Sequence, residues 1–176
     1  MKTLVYQQAV PQNRALFVQK VIAICQRLGF NPNWLMLVMY MESNLNPKAI
    51  NPKGGASGLI QFMPFVAREL GTTVEAIRKM DNLQQLDYVE KYFRKYAKYV
   101  RSFTDLYLIT FYPKALIEKW PDEARFPDIV YEYNKSLDRN RDKIITIGEY
   151  KNYIISKVPP TFPYAQLGER SAPKNE

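Results

Sequence analysis

Apolar residues along this chain recur at three- and four-residue spacing, and no stretch shows the period-two alternation of a half-buried strand. The pattern predicts an all-α protein. Phe17, Val18, Val21, Ile22, Cys25 and Leu28 form one stripe, so a helix is expected from the capping residue Asn13 to Leu28, with Gly29 ending it. Asn31-Pro32-Asn33 opens a second helix whose residues Trp34, Leu35, Leu37, Val38, Met39 and Tyr40 are apolar nearly all round, the mark of a buried element. That helix ends in Glu42-Ser43-Asn44. The stretch from Asn46 to Ser57, rich in Asn, Pro and Gly, reads as a loop, and Gly58 to Leu70 reads as helix again, stopped by Gly71. Further helices are expected from a Thr72–Glu75 capping box to Met80, from Asn82 to about Tyr99, from Thr104 to Pro113, brokenly over Lys114–Trp120, over Ile129–Lys135, and from Thr146 to Lys157. Residues 1–12 read as an irregular arm, 13–157 as one domain, and 158–176, with four prolines, as an extended or disordered tail.

The chain has 176 residues, 47% of them hydrophobic, enough to bury a core. Its histidine count of zero narrows the chemistry most. Ser-His-Asp and Cys-His catalysis and HExxH zinc sites are excluded together. Cys25 is the single cysteine and lies on an apolar stripe, so it reads as a small core residue, with neither an internal disulfide nor a cysteine metal cluster to form. Carboxylates, amides, hydroxyls and 13 tyrosines remain. Most of the tyrosines read as amphipathic core rim. The net charge of +8 attracts something anionic: nucleic acid, an acidic membrane surface or a bacterial cell wall. The basic residues from Lys91 to Arg101 read as a solvated helix face rather than a nucleic-acid patch, and no nucleic-acid module motif accompanies them. Neither a secretory signal nor a membrane span is expected.

Glu42 places a carboxylate at the end of an apolar helix, just before a turn carrying Gly54, Gly55 and Gly58. Glycoside cleavage needs a proton donor whose pKa lies near the working pH. Apolar neighbours (Leu37, Val38, Met39, Met41, Leu45) and a helix C-terminus both disfavour the anion. Ser57 and Gln61 could hydrogen-bond sugar hydroxyls and acetamides, with the glycines letting backbone approach a glycan. Spacing alone leaves a merely solvated glutamate open.

The residues also carry a resemblance. Glu42-Ser43-Asn44-Leu45-Asn46-Pro47, then Ala49 and Asn51, then Gly55-Ala56-Ser57-Gly58-Leu59-Ile60-Gln61-Phe62-Met63-Pro64 resembles the soluble lytic transglycosylase domain of the lysozyme-like superfamily. More loosely, residues 13 to about 155 resemble lysozyme-like domains of phages and related particles. The resemblance implies a helical domain with an active-site cleft. Glu42 would be the single general acid/base, protonating the glycosidic oxygen between N-acetylmuramic acid and N-acetylglucosamine, and the muramyl 6-hydroxyl would then attack to give a 1,6-anhydro end. Ser43, Ser57 and Gln61 would position the glycan. The family's downstream Ala-Tyr-Asn-Ala-Gly segment has its best counterpart in Thr110-Phe111-Tyr112-Pro113-Lys114-Ala115. Tyr112 either keeps the tyrosine role of hydrogen-bonding Glu42 or is a core-rim tyrosine. Pro113 cannot replace the asparagine amide, which leaves transglycosylation and hydrolysis both open. No second carboxylate is obviously paired with Glu42; Asp81, Asp87 and Asp105 exist, but spacing does not place them.

Asp138 to Glu149 has the register of an EF-hand loop. Asp138, Asn140, Asp142, Thr146 and Glu149 fall at positions one, three, five, nine and twelve. Ile144 supplies a carbonyl at seven, and Ile145 is the apolar residue of position eight. Lys143 stands where glycine is expected, so a lysine must take positive φ, and Arg139 and Arg141 add charge beside it. A weak structural Ca2+ site and a metal-free loop of the same shape are both open, as is a polar helix connection.

The leading expectation is a lytic transglycosylase acting on peptidoglycan strands, with no nucleic-acid partner, carried by a phage tail or secretion particle to the periplasm or cell wall. The alternatives are a muramidase using water, a non-catalytic wall-binding or tail module, and a calcium-regulated interaction domain.

Overall fold

The computed structural model describes residues 3–168. Among these, helices carry the architecture, and the extended pairings are isolated bridges rather than a sheet. The all-α expectation holds. The chain packs as two compact units, Met1–Val100 and Arg101–Glu176. No helix among the described residues is long and apolar enough to cross a membrane.

In the first unit, α1 (Arg14–Leu28) ends on Gly29 in the left-handed region at φ 77°, where glycine carries no Cβ penalty. Asn13 holds the N-cap position without a side-chain cap. Its amide instead reaches Asn82 Oδ1 at 3.4 Å, tying the start of α1 to the start of α5. α2 (Pro32–Ser43) begins as expected, with the Asn33 N–H donating to Asn31 Oδ1 at 3.0 Å and Pro32 in the first turn. Trp34 through Met39 are all buried, so α2 is the axis of this unit's core and α1 packs along it. Residues 3–10 are pinned to α2: Leu4 and Val10 are buried, Tyr6 stacks on Tyr40 at 3.5 Å, and the Val5 N–H donates to Asn33 Oδ1.

The expected helix from Gly58 to Leu70 is shorter. Only α3 (Pro64–Glu69) is helical, and 58–61 is a turn closed by the Ser57–Phe62 bridge. Two local constraints explain this. Gly58 and Gln61 both have positive φ, at 79° and 50°, and Pro64 biases Met63 to its extended φ −69°, ψ 150°. α4 (Val74–Lys79) is capped by Thr73, and α5 (Asn82–Arg94) by Asp81 in a capping box with Gln84. Asn82, expected as the cap, lies one residue inside, fully buried, donating to Gln12 O at 2.6 Å. α5 packs on α1 and carries an ion cluster around the buried Glu90, which accepts from Arg27 at 2.8 and 2.7 Å and from Arg94 at 2.5 Å. Cys25 is buried, and desolvation pushes its thiol up to about 12, as a core cysteine should behave.

In the second unit, α6 (Phe103–Phe111) is capped by Ser102 rather than Thr104, whose side chain is buried beside it. α7 (Pro113–Ile117) follows at once, then α8 (Asp128–Tyr133), a 3-10 turn over Lys135–Leu137, and α9 (Ile147–Ser156). The core is aromatic: Tyr150 on α9 stacks on Phe111 at 4.4 Å and meets Phe126 and Tyr107 edge-on. Within the proline-rich segment Tyr164–Leu167 form a 3-10 helix with Leu167 buried, and residues 169–176 lie outside the described ones.

Candidate active site

The site grows out of the end of α2. Glu42 is in the last helical turn, half-buried, and the helix terminates at Asn44 and Leu45, both in the left-handed region. Two successive positive-φ residues turn the chain sharply, so Leu45 drops back into the core, fully buried. Leaving the helix there keeps Glu42 at the boundary between apolar core and surface, beside the negative end of the α2 dipole. Tyr92 of α5 shares this region. Its phenol is held well above its ordinary pKa chiefly by burial, then by Tyr96 and by the carboxylates of Glu69 and Glu42.

Facing α2 is the 46–62 segment, folded by side chains from outside it. Ser43 Oγ donates to Met39 O and Leu59 O, both at 2.9 Å, joining the helix end to the turn. Ser57 is fully buried. Its hydroxyl donates to Gly55 O at 3.1 Å and accepts from Arg78 Nε at 2.9 Å, while Arg78 Nη2 donates to Gly55 O. Both serines, expected to position the glycan, make these bonds within the first unit. Gln61 is half-buried, and its amide nitrogen donates to Gly58 O at 3.1 Å and Ala49 O at 3.4 Å.

Gln85 does most to hold this segment and was not singled out by motif reading. It is fully buried on α5, where it accepts from the Leu59 N–H at 2.9 Å and donates to Pro47 O at 2.7 Å and Ile77 O at 2.9 Å. One side chain thus satisfies three main-chain groups, two at opposite ends of the 46–62 segment and one on α4. Gly58 must be glycine for the same reason: a Cβ there would lie 2.5 Å from Gln85 Oε1 and 2.9 Å from Ile77 Cγ2. The sequence signal was a polar residue inside the apolar stripe of α5, next to Leu86 and Val89.

The other carboxylates considered have structural work. Asp81 caps α5, Asp87 pairs with Lys20 at 2.6 Å, and Asp105 accepts from the Arg101 N–H at the start of α6. Glu69, which shares Tyr92 with Glu42, faces Lys95 at 3.4 Å. Tyr112 belongs to the second unit, at the joint of α6 and α7, against Trp120 and Phe126. Pro113 occupies the first turn of α7, a role for which its ring is suited.

The 138–149 segment folds on itself. Asp138 Oδ1 accepts from the Arg141 N–H at 2.7 Å and Oδ2 from Lys143 at 3.0 Å. Asn140 Oδ1 accepts from Asp142, and Asp142 Oδ1 from Ile144 at 2.8 Å. Lys143 has the positive φ its position demands, 66°. Among the described residues no three acidic, histidine or cysteine side chains converge as a ready metal cluster. The donors here are mixed, and the aspartates are turned onto the loop's own N–H groups.

With this geometry in view, residues 19–98 match the family model described as Transglycosylase SLT domain. The matched stretch lies within the first unit and contains Glu42, Ser57, Gln61 and Gln85. The match covers less than half of the chain, and it makes this stretch similar to that domain family. Neither the curated proteins nor the solved structures offered a match.

Proposed function

We propose that the protein cleaves the β-1,4 bond between N-acetylmuramic acid and N-acetylglucosamine in peptidoglycan, with Glu42 as its single general acid/base. The observation that carries this reading is the placement of Glu42. It lies half-buried in the last turn of a buried apolar helix within the family match, next to Ser43, whose hydroxyl reaches a turn also braced by Arg78 and Gln85. In the proposed cycle the Glu42 carboxyl gives its proton to the glycosidic oxygen as the C1–O bond breaks. The muramyl 6-hydroxyl then adds to C1 and returns its proton to the Glu42 carboxylate, so the acid is restored and a 1,6-anhydro end is formed. An internal hydroxyl as nucleophile removes the need for a second carboxylate, which two-carboxylate hydrolases require. The engagement of Asp81, Asp87 and Glu69 elsewhere supports this route. Gln61, half-buried beside Gly58, is the side chain proposed to hold the glycan. A net charge of +8 favours approach to an anionic wall.

Mass spectrometry of purified peptidoglycan after digestion tests the reading. Fragments ending in 1,6-anhydromuramic acid are expected. Reducing ends alone would assign the site to hydrolysis by water, and intact strands would make this unit a wall-binding module.

A further inference from the structure

The second unit holds a carboxylate whose setting the glycan reading does not explain. Glu149 opens α9, three residues after its cap Thr146. Its Oε2 accepts from both the Thr146 N–H at 2.8 Å and Thr146 Oγ1 at 2.9 Å, while its own N–H donates to Thr146 Oγ1. Here Oε1 is closed off from solvent and has no hydrogen-bond partner, the one such side-chain atom among the described residues. An unpartnered buried carboxylate oxygen is costly, and a cation is the partner that removes the cost most directly.

The surrounding backbone is ordered as a cation loop requires. The Lys135–Leu137 turn ends immediately before Asp138, and α9 begins immediately after Thr146. Ile145 is buried, and its carbonyl accepts from the Phe126 N–H at 2.9 Å, so the end of the loop is fixed against the 124–126 segment. Asp138, Asn140, Asp142 and the Ile144 carbonyl all precede Glu149 on this one loop, and Glu149 is held back toward it through Thr146.

We propose that residues 138–149 bind a calcium ion, with Glu149 Oε1 as the ligand that locks α9 to the loop. Asp138, Asn140, Asp142, the Ile144 carbonyl and Thr146 complete an all-oxygen donor set, the kind hard divalent cations take. Arg139, Arg141 and Lys143 oppose the ion, which sets the affinity at the weak end of such loops, about 0.1–1 mM. This inference is independent of the glycan reading and stands or falls separately from it.

The test is calorimetry and thermal melting of the chelator-treated full chain with calcium chloride, magnesium chloride as comparison. Saturable binding and a rise in melting temperature are expected with calcium. Glu149→Gln should lose both responses while melting close to wild type without metal, because its amide oxygen still accepts from Thr146. Lys143→Gly, which relieves the positive φ and removes one opposing cation, should bind calcium roughly tenfold more tightly. The proposal is overturned if wild type and Lys143→Gly are both silent, if Glu149→Gln responds as wild type does, or if magnesium alone is bound.

Discussion

The two irregular segments of this protein are built by opposite means. The 46–62 turn is braced from outside: Ser43 on α2, Arg78 on α4 and Gln85 on α5 reach in to its carbonyls and N–H groups. The 138–149 loop is braced from within, by Asp138, Asn140 and Asp142 accepting from N–H groups a few residues on. A segment held by three helices can serve as a rigid wall beside an acid, because moving it means breaking buried hydrogen bonds. A brace made of the segment's own side chains opens without breaking any bond to the rest of the fold.

Breaking the outer brace should have the largest effect. Gln85→Ala leaves the Leu59 N–H and the Pro47 carbonyl buried without partners and strips the Ile77 carbonyl of one of its two donors, and should cost about 4 kcal/mol in urea unfolding. Gly58→Ala follows at about 2–3 kcal/mol, since it combines a positive φ of 79° with a clash against Gln85 and Ile77. Gly55→Ala is its control: φ is 70°, but the nearest atom, Pro64 Cγ, is 3.8 Å away, so about 1 kcal/mol is expected. If the two alanine variants cost the same, steric closure at Gly58 is not what shapes the turn.

A smaller effect separates packing from charge. Glu90 is held below the usual carboxylate range, first by its hydrogen bonds to Arg27, which outweigh the opposing effect of burial, and then by Arg94. A depressed native pKa means that Glu90 contributes stability above the unfolded-state value and that the contribution is lost as pH falls through the native one. Arg27 and Arg94 are half-exposed or more and regain water, so Glu90→Gln should cost only about 1 kcal/mol at pH 7. The gap in melting temperature between wild type and variant should close as pH drops below about 4. A gap that stays constant down to pH 2.5 would show that shape rather than charge matters there.

Much of this was legible in the sequence. The buried helix α2, the Gly29 stop and the Pro32 start follow from periodicity and backbone chemistry, as does the strained Lys143. Cap positions slipped by a residue or two where polar residues cluster: Asp81 rather than Asn82, Ser102 rather than Thr104. Which hydroxyl or carboxylate reaches the free N–H depends on where the flanking chain goes. The Gly58–Phe62 turn reads as helix in the sequence because Leu59, Ile60 and Phe62 mimic an apolar stripe, while the deciding facts are a bridge and two positive φ angles. Glu42 was visible through its motif. The inward direction of Ser43 and Ser57, and the reach of Arg78 and Gln85 across more than twenty residues, were not, because motif spacing says nothing about which side of a turn faces the core.

The central claim is that one carboxyl, Glu42, moves the proton. Glu42→Gln keeps the side chain's size and removes its acid. Measured on purified peptidoglycan, the variant should release no soluble fragments, a drop of about 1,000-fold or more, while binding the wall and melting as wild type does. Fragment release at the wild-type rate by a folded Glu42→Gln protein would contradict the account.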